Sequence, residues 1–253
     1  MSKKKSFRIS ANIERLFQEH DLPDRIAAAA DAGFSGVELP LPYDYPAPDL
    51  RDKAVFAGIS FVRMDGPPPN YTGGAQGFAA APGQQQRFQS DFKRALRQAQ
   101  VLGAHRLHLR TGLEQETDAN ILIDNLRWAA EEAPKAILLI EALNPQDHAD
   151  HCLASVGHTL DVFRSVDSDN VKLLFSTSHA SRHPEGLEVL WQQAHDVTGH
   201  VLLGGGATPS EIDHYAGDML SLLKESDYSG WACADFVPDG PTTKSLGWLG
   251  KHA

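Results

Sequence analysis

The chain has 253 residues, of which 42% are hydrophobic and 22% charged, so it can bury a large core and is not typical of a disordered protein. Its formal net charge of −10 argues against nucleic acid as a partner, because proteins that bind phosphate backbones concentrate lysine and arginine on one face. No apolar run approaches ~18 residues, so we expect no membrane span and no membrane partner.

Short β-rich runs alternate with longer helical patterns along the whole chain. After a basic tail at residues 1–6, which we expect to be disordered, strands are predicted at residues 7–13, 36–41, 60–66, 106–112, 136–144, 171–179, 200–206 and 230–237. Helices are predicted at residues 23–33, 47–58, 86–103, 118–133, 156–166 and 186–197, and several end at a glycine suited to a left-handed C-cap. This alternation predicts one α/β domain over residues 1–253, a (β/α)8 TIM barrel.

One segment interrupts the alternation. Residues 66–83 form a Pro/Gly-rich loop after the third strand, too long for an ordinary βα turn, and we interpret it as a lid. In such a barrel the ligand lies at the carboxyl ends of the strands, so the residues that end each run are candidates for the site. These residues are Asn12, Glu38, Asp65, Arg110, Glu141, Asn144, Ser176–His179, Gly204–Gly206 and Asp235.

Six motifs follow one another along the chain: LPYDYP (41–46), GFAAAPG (77–83), LIEALNP (139–145), NVKLLFSTSHA (170–180), GHVLL (199–203) and YSGWACADF (228–236). Together and in this order, they resemble those of the hydroxypyruvate isomerase family, a group of xylose isomerase-like barrels. The resemblance spans residues 8–249 and implies isomerisation between an aldehyde and a ketone of a small hydroxy-acid through an enediolate. It also implies a divalent metal that holds the oxygens and two carboxylates that move the proton.

Only half of the metal-site positions implied by the family are retained. Glu141, at the end of strand 5, matches the first acid, and Asp235, at the end of strand 8, is one methylene shorter than the family's glutamate. Ser176 replaces the family's aspartate on strand 6, and Leu202 replaces an amide or imidazole on strand 7. Because Mg²⁺ and Mn²⁺ need several oxygen ligands, we predict a degenerate site without the family's metal. Glu141, Asp235 and His179, which also matches a family position, are the predicted catalytic residues.

Arginines are candidates for the charge that the metal would supply. Arg63 on strand 3 and Arg110 on strand 4 occupy positions where the family more often has apolar residues. Strand alternation places Arg110 on the same face as His108, and we predict that all three bind substrate. If that face points into the barrel mouth, a guanidinium can hold a carboxylate or enediolate bidentately. Alternatively, both arginines form structural ion pairs with Asp65, Glu38 or Glu141.

The loops at the predicted mouth supply weaker candidates. Tyr43 and Asp44, after strand 2, either form a substrate wall or pack between two prolines. Gly205, among three glycines before a predicted helix, either cradles an anion or belongs to a tight turn. Ser176 is expected to form a polar wall of the vacated metal site. The run QDHADHC (146–152) either brings new histidine ligands or is a solvated loop.

These features favour an isomerase-like protein that acts on a small polar or anionic metabolite by enediolate proton transfer. The alternative is a catalytically inactive barrel that binds a small anionic metabolite or a protein partner, and the presence of Ser176 and Leu202 favours it. A DNA-repair endonuclease on the same barrel would need a His-rich zinc cluster and a basic groove, and neither is visible in the sequence. Homo-oligomer formation is left open. Cys152 and Cys233 are typical of free thiols in a reducing cytoplasm.

Overall fold

Eight parallel strands close a barrel in chain order in the computed structural model of the protein. The structure describes residues 6–66, 77–112, 117–146, 149–204 and 209–249, with the backbone alone described for residues 209–216. The strands are β1 (Arg8–Asn12), β2 (Gly36–Glu38), β3 (Ser60–Gly66), β4 (Arg106–Leu109), β5 (Ile137–Glu141), β6 (Val171–Ser176), β7 (Thr198–Leu203) and β8 (Trp231–Ala234). Each predicted strand run overlaps one of them, so the predicted (β/α)8 barrel is confirmed.

Helices lie between the strands and cover the outside of the barrel. They are α1 (Arg25–Asp31), α2 (Ala47–Phe56), α3 (Gln85–Leu102), α4 (Ala119–Glu132), α5 (Val156–Val166), α6 (Thr177–Ser181), α7 (Gly186–Ala194) and α8 (Pro209–Glu225). In α3, Phe88, Phe92 and Ala95 are buried at helical spacing, and Gly103 ends the helix with φ 77°, which only glycine adopts readily. Within the described ranges, no helix combines the length and the apolarity needed to cross a bilayer.

Strand β6 ends three residues earlier than predicted. Thr177 begins the short helix α6, and its hydroxyl accepts a hydrogen bond from the Gly204 backbone N–H at 2.9 Å and donates one to the Gly204 carbonyl. These bonds join the end of β6 to the end of β7. Ser178 and His179 therefore lie on a helix at the barrel mouth, and the prediction that the strand continues to His179 is wrong.

The interior of the barrel has two chemically different halves. On the side of β5 to β8, buried Leu139, Leu174, Leu202 and Cys233 pack together as a separate apolar cluster, which we call the apolar half. The polar half is formed by the buried side chains of Ser10, Asn12, Glu38, Arg63 and Asp65 on β1 to β3, and by His200, which reaches Glu38 from β7. Because the buried charges are concentrated on one side, they can neutralise one another without contact with water.

The loop that carries the predicted lid is partly fixed. Ala79, Ala80 and Ala81 are buried, and the amide of Asn125 on α4 donates to the Ala79 carbonyl at 2.8 Å. Gly77 has φ 96° and pairs with Thr111 in an antiparallel bridge. Residues 77–81 thus pack against the barrel, and the interpretation of the whole loop as a lid stays a prediction. Residues 67–76 of the predicted lid and residues 1–5 of the predicted tail lie outside the described residues.

Candidate active site

A cavity of about 550 Å³ opens at the carboxyl ends of the strands. Leu174, Leu202, Phe236 and Val237 line the side that continues the apolar half of the interior. The charged and imidazole side chains on its wall are Glu14, Arg15, Arg63, Asp65, His108, Arg110, Glu141, His179 and Asp235. Charged groups from separate strands therefore converge on one opening, as the position of catalytic residues in such barrels predicts.

Arg63 joins two buried carboxylates in the floor of the cavity. Its Nε lies 2.6 Å from Glu38 Oε2, and a terminal nitrogen lies 2.7 Å from Asp65 Oδ1. The side chain is only 3% exposed. This placement favours the structural alternative for Arg63, because its charge is neutralised by two buried carboxylates.

Glu38 has three polar partners in the floor of the cavity. Ser10 donates to its Oε1 at 2.6 Å, and His200 Nε2 lies 2.8 Å from the same oxygen. Burial, which raises the pKa of Glu38, is outweighed by His200 and Arg63, so that pKa lies well below its ordinary value. Burial lowers the pKa of His200 despite the nearby Glu38. The floor therefore holds an ionised glutamate in contact with an arginine and a histidine.

Asp65 links the floor to the wall. Its Oδ2 accepts hydrogen bonds from Arg110, with Nε at 3.2 Å and a terminal nitrogen at 3.0 Å, and His108 Nδ1 lies 3.2 Å from the same atom. Burial, which raises the pKa of Asp65, is outweighed by Arg63 and His108, so the pKa is strongly lowered. Arg110 and His108 reach the cavity as the strand alternation predicts, and both also serve as partners of a buried carboxylate.

Glu141 has fewer charged or hydrogen-bonded partners than Asp65 or Asp235 on the same cavity wall. Its side chain is 20% exposed, and its one charged partner among the described residues is His179, with Nε2 3.6 Å from Oε1. Glu141 ends β5, and His179 projects from α6 after β6. Adjacent elements thus place a carboxylate and an imidazole side by side with access to the cavity.

Asp235 is held from the other side of the cavity. Asn12 donates to its Oδ1 at 2.6 Å, and Arg15 Nε lies 3.1 Å from the same oxygen. Asn12 ends β1 and Asp235 follows β8, which are neighbours in the sheet. The carboxylate is therefore oriented and partly neutralised before any ligand arrives.

The sequence analysis missed Glu14 and Arg15, which follow β1 and line the cavity. Burial and the nearby Asp65 carboxylate raise the pKa of Glu14. The signal that could have found both residues is their position two and three residues beyond Asn12, on the loop that follows a strand end. A loop position does not by itself indicate which way a side chain points.

The side chains at the four metal positions do not fit an octahedral divalent cation. Ser176 offers one neutral hydroxyl, Leu202 offers no donor, and Asp235 Oδ1 already faces Asn12 and Arg15. Among the described residues, one group of three His, Cys, Asp or Glu side chains has its ligand atoms within 4.8 Å of one another. The members of that group are Glu38, His200 and Cys233. They lie in the floor, where Arg63 already pairs with the glutamate.

Other predicted site residues lie away from the cavity. The Tyr43 hydroxyl donates to the Asp65 carbonyl oxygen at 2.9 Å, and Asp44 is exposed, so neither side chain lines the cavity wall. In the run QDHADHC, buried His151 lies 3.0 Å from the Thr111 hydroxyl, so it is not part of a solvated loop. Gly205 lies outside the described residues. Both predicted free thiols are confirmed, with Cys152 half-buried and Cys233 buried.

Comparison with known proteins covers almost the whole chain. Residues 26–252 match the family described as "Xylose isomerase-like TIM barrel". Hydroxypyruvate isomerase of Escherichia coli strain K12 is 28% identical over 97% of this chain and 99% of that protein. The 2-oxo-tetronate isomerase of Haemophilus influenzae is 30% identical, also over 97% of this chain and 99% of that protein.

A similar solved structure is the crystal structure of an AP endonuclease, family 2, from Brucella melitensis. It superposes with a TM-score of 0.88 at 26% sequence identity, over 97% of this chain and 98% of that chain. The match extends the similarity from sequence to the arrangement of all strands and helices.

Proposed function

This chain belongs to the xylose isomerase-like TIM barrel family, and from that premise we propose that it is an isomerase of small hydroxy-keto acids. The relatives named for hydroxypyruvate and 2-oxo-tetronate support this class of substrate. The observation that carries the proposal is Glu141, an accessible carboxylate next to an imidazole in a cavity large enough for such an acid. The proposed ligand is thus a small anionic metabolite, and its carbonyl carbon and the neighbouring carbon are the reacting atoms.

Glu141 is the proposed base. It removes the proton from the carbon next to the carbonyl, the electron pair of that C–H bond forms a carbon–carbon double bond, and the carbonyl π pair moves to oxygen. The product is an enediolate. Return of the proton from Glu141 to the former carbonyl carbon, with transfer of the hydroxyl proton between the two oxygens, completes the isomerisation. Asp65 cannot serve as this base, since Arg63, Arg110 and His108 all engage it.

Protein groups supply the charge that stabilises the enediolate in this proposal. His179 lies next to Glu141 and can donate a proton or a hydrogen bond to the developing oxyanion. His108 and Arg110 line the same cavity from β4 and the residue after it. Because Ser176 and Leu202 do not form a metal site, we propose that the reaction proceeds without the divalent cation of the family.

The test is a solvent-exchange assay on protein treated with chelator. In D2O, the wild-type protein should incorporate deuterium into hydroxypyruvate or 2-oxo-tetronate at the carbon next to the carbonyl. NMR spectroscopy measures this incorporation over time. Glu141→Gln should lower the exchange rate by about 100-fold or more, because the amide cannot accept the proton. Asp161→Asn, which removes an exposed carboxylate on α5 that pairs with Arg164, should exchange like the wild type. Undiminished exchange in Glu141→Gln would contradict the assignment of the base.

A second candidate function is a binding protein for a small anionic metabolite, without turnover. The observation that favours it is the engagement of Asp235, which leaves Glu141 as the one weakly paired carboxylate of the two predicted to move protons. Saturable binding of hydroxypyruvate in a calorimetric titration, together with no deuterium exchange at any carbon in D2O, would support the binding protein. The four carboxylates on the cavity wall favour neither candidate over the other, but they disfavour a phosphate backbone as ligand.

A further inference from the structure

The three arginines that line the cavity differ in how far the protein already uses them. Arg63 is buried between two carboxylates, and Arg110 directs Nε and a terminal nitrogen to Asp65 Oδ2. Arg15 contacts Asp235 through Nε alone, at 3.1 Å, and its side chain is 51% exposed. Neither terminal amine of Arg15 has a hydrogen-bond partner in the part of the chain that the structure describes. Arg15 is therefore the arginine whose planar pair of terminal N–H donors is available to a ligand.

The position of Arg15 is fixed by its surroundings. Its backbone N–H donates to the Asn12 carbonyl oxygen at 3.2 Å, in the turn that follows β1. Asn12 also donates its amide to Asp235 Oδ1, the atom that Arg15 faces. The carboxylate of Asp235 thus orients the guanidinium from one side, and an oriented arginine loses less conformational entropy when it binds an anion.

We propose that Arg15 binds the carboxylate of the substrate through its terminal amines and makes the site specific for acids over neutral sugars. The identity of the ligand as a hydroxy-keto acid rests on the proposed function. An acid that enters this cavity approaches Glu14, Glu141 and Asp235, and their repulsion requires a compensating cation. Arg15 supplies that charge and offers bidentate geometry to a carboxylate.

Arg110 is the competing assignment. It lines the same cavity, but two of its nitrogens lie on Asp65, whose other oxygen is held by Arg63. If Arg110 turned to a ligand, it would weaken the compensation of a carboxylate that is only 5% exposed. Arg15 has no such constraint, because its partner Asp235 keeps the hydrogen bond from Asn12.

Binding is measured by isothermal titration calorimetry with hydroxypyruvate and, as the neutral probe, D-fructose. Arg15→Met should weaken hydroxypyruvate binding by about 10- to 100-fold, because it removes charge-assisted hydrogen bonds, and should leave the response to fructose unchanged. Arg15→Lys keeps the charge but lacks the planar pair of terminal N–H donors, so its affinity for hydroxypyruvate should lie between those of the wild type and Arg15→Met. Arg51→Met removes an exposed arginine on α2 that pairs with Asp52 and should bind like the wild type.

The outcomes separate this inference from the proposed function. An unchanged Kd for hydroxypyruvate in Arg15→Met, or loss of acid binding in Arg110→Met with Arg15→Met unaffected, overturns the role of Arg15. Absence of hydroxypyruvate binding in the wild type overturns it as well. A weakened Kd in Arg15→Met supports it even if the wild type shows no deuterium exchange, in which case the isomerase proposal fails and the binding site stands. Arg15→Gln replaces Arg15→Met if thermal unfolding shows that the latter does not fold.

Discussion

Removal of Arg63 should destabilise the barrel more than removal of any surface arginine. The guanidinium lies 2.6 Å from Glu38 and 2.7 Å from Asp65, and the three side chains are 3%, 0% and 5% exposed. Arg63→Met keeps much of the side-chain length and deletes the charge. Glu38 and Asp65 are then left with less compensation, and both remain almost fully buried.

The expected loss follows from the burial of the pair. Removing one partner from a buried ion pair destabilises proteins by about 3–5 kcal/mol, out of a total stability of about 5–15 kcal/mol. For a chain of this length we expect the melting temperature to fall by about 6–20 °C. Arg51→Met, which breaks an exposed pair on α2, should change the free energy of unfolding by less than about 1 kcal/mol.

The assay is urea unfolding of both variants and the wild type at pH 7 and at lower pH. Wild-type Glu38 and Asp65 have lowered pKa values in the folded state, so their contribution to stability is present above their unfolded pKa values, about 4, and is lost as the pH falls below them. In Arg63→Met these carboxylates lose the arginine that lowers their pKa and take up protons more readily. The difference between the two proteins should therefore shrink on acidification. A loss under about 1 kcal/mol at pH 7, or a difference independent of pH, would refute the reasoning.

Three further predictions follow from the floor, the wall and the loop. Chelator should leave the deuterium-exchange rate unchanged, and calorimetry should detect no stoichiometric binding of Mn²⁺ to the wild type. A double variant with Ser176→Asp and Leu202→His should gain Mn²⁺ binding. The pKa of His200 is lower in the folded state than in the unfolded chain, so the unfolded chain binds more protons than the folded protein below about pH 6.5. The melting temperature should therefore fall from pH 7 to pH 5. It should fall less steeply in His200→Gln, which has no imidazole at this position. Gly77→Ala should lower the free energy of unfolding by more than about 2 kcal/mol, since φ is 96° and a Cβ would overlap the Arg110 carbonyl. Gly83 has φ 72°, and a Cβ there would meet no atom within 4 Å, so Gly83→Ala should lower the free energy of unfolding by less. Equal decreases in the two variants would contradict the steric argument.

Most of the fold could be predicted from the sequence because strand and helix periods are local properties. Strand alternation predicts that His108 and Arg110 share a face, and the position of Asp65 at the end of a predicted strand makes it a candidate for the barrel mouth. It could not decide which carboxylate each arginine contacts, because that depends on distances across the barrel. The burial of Arg63 between Glu38 and Asp65 is such a tertiary fact.

The errors in the site have equally physical causes. His179 was placed on a strand because the apolar run before it continues into β-favouring threonine, whereas the hydrogen bonds of Thr177 to Gly204 turn the chain into α6. The sequence does not identify Arg15 as a site residue, because a loop has no periodicity from which the direction of a side chain can be predicted. Its role depends on Asp235, which is 220 residues further along the chain. Side chains brought together by barrel closure are the part that a local pattern does not encode.

The split between the two halves of the barrel interior has a stereochemical consequence. The hydrocarbon side chains Leu174, Leu202, Phe236 and Val237 lie on or after β6, β7 and β8, whereas Arg63, Asp65, His108 and Arg110 lie on or after β3 and β4. If Glu141 is the base, as proposed above, a substrate with one apolar and one charged end would enter in one preferred orientation. The face of its carbonyl carbon that is turned toward Glu141 would then be set before any bond breaks. The configuration of a chiral carbon formed in the product would then depend on the order of the strands around the cavity.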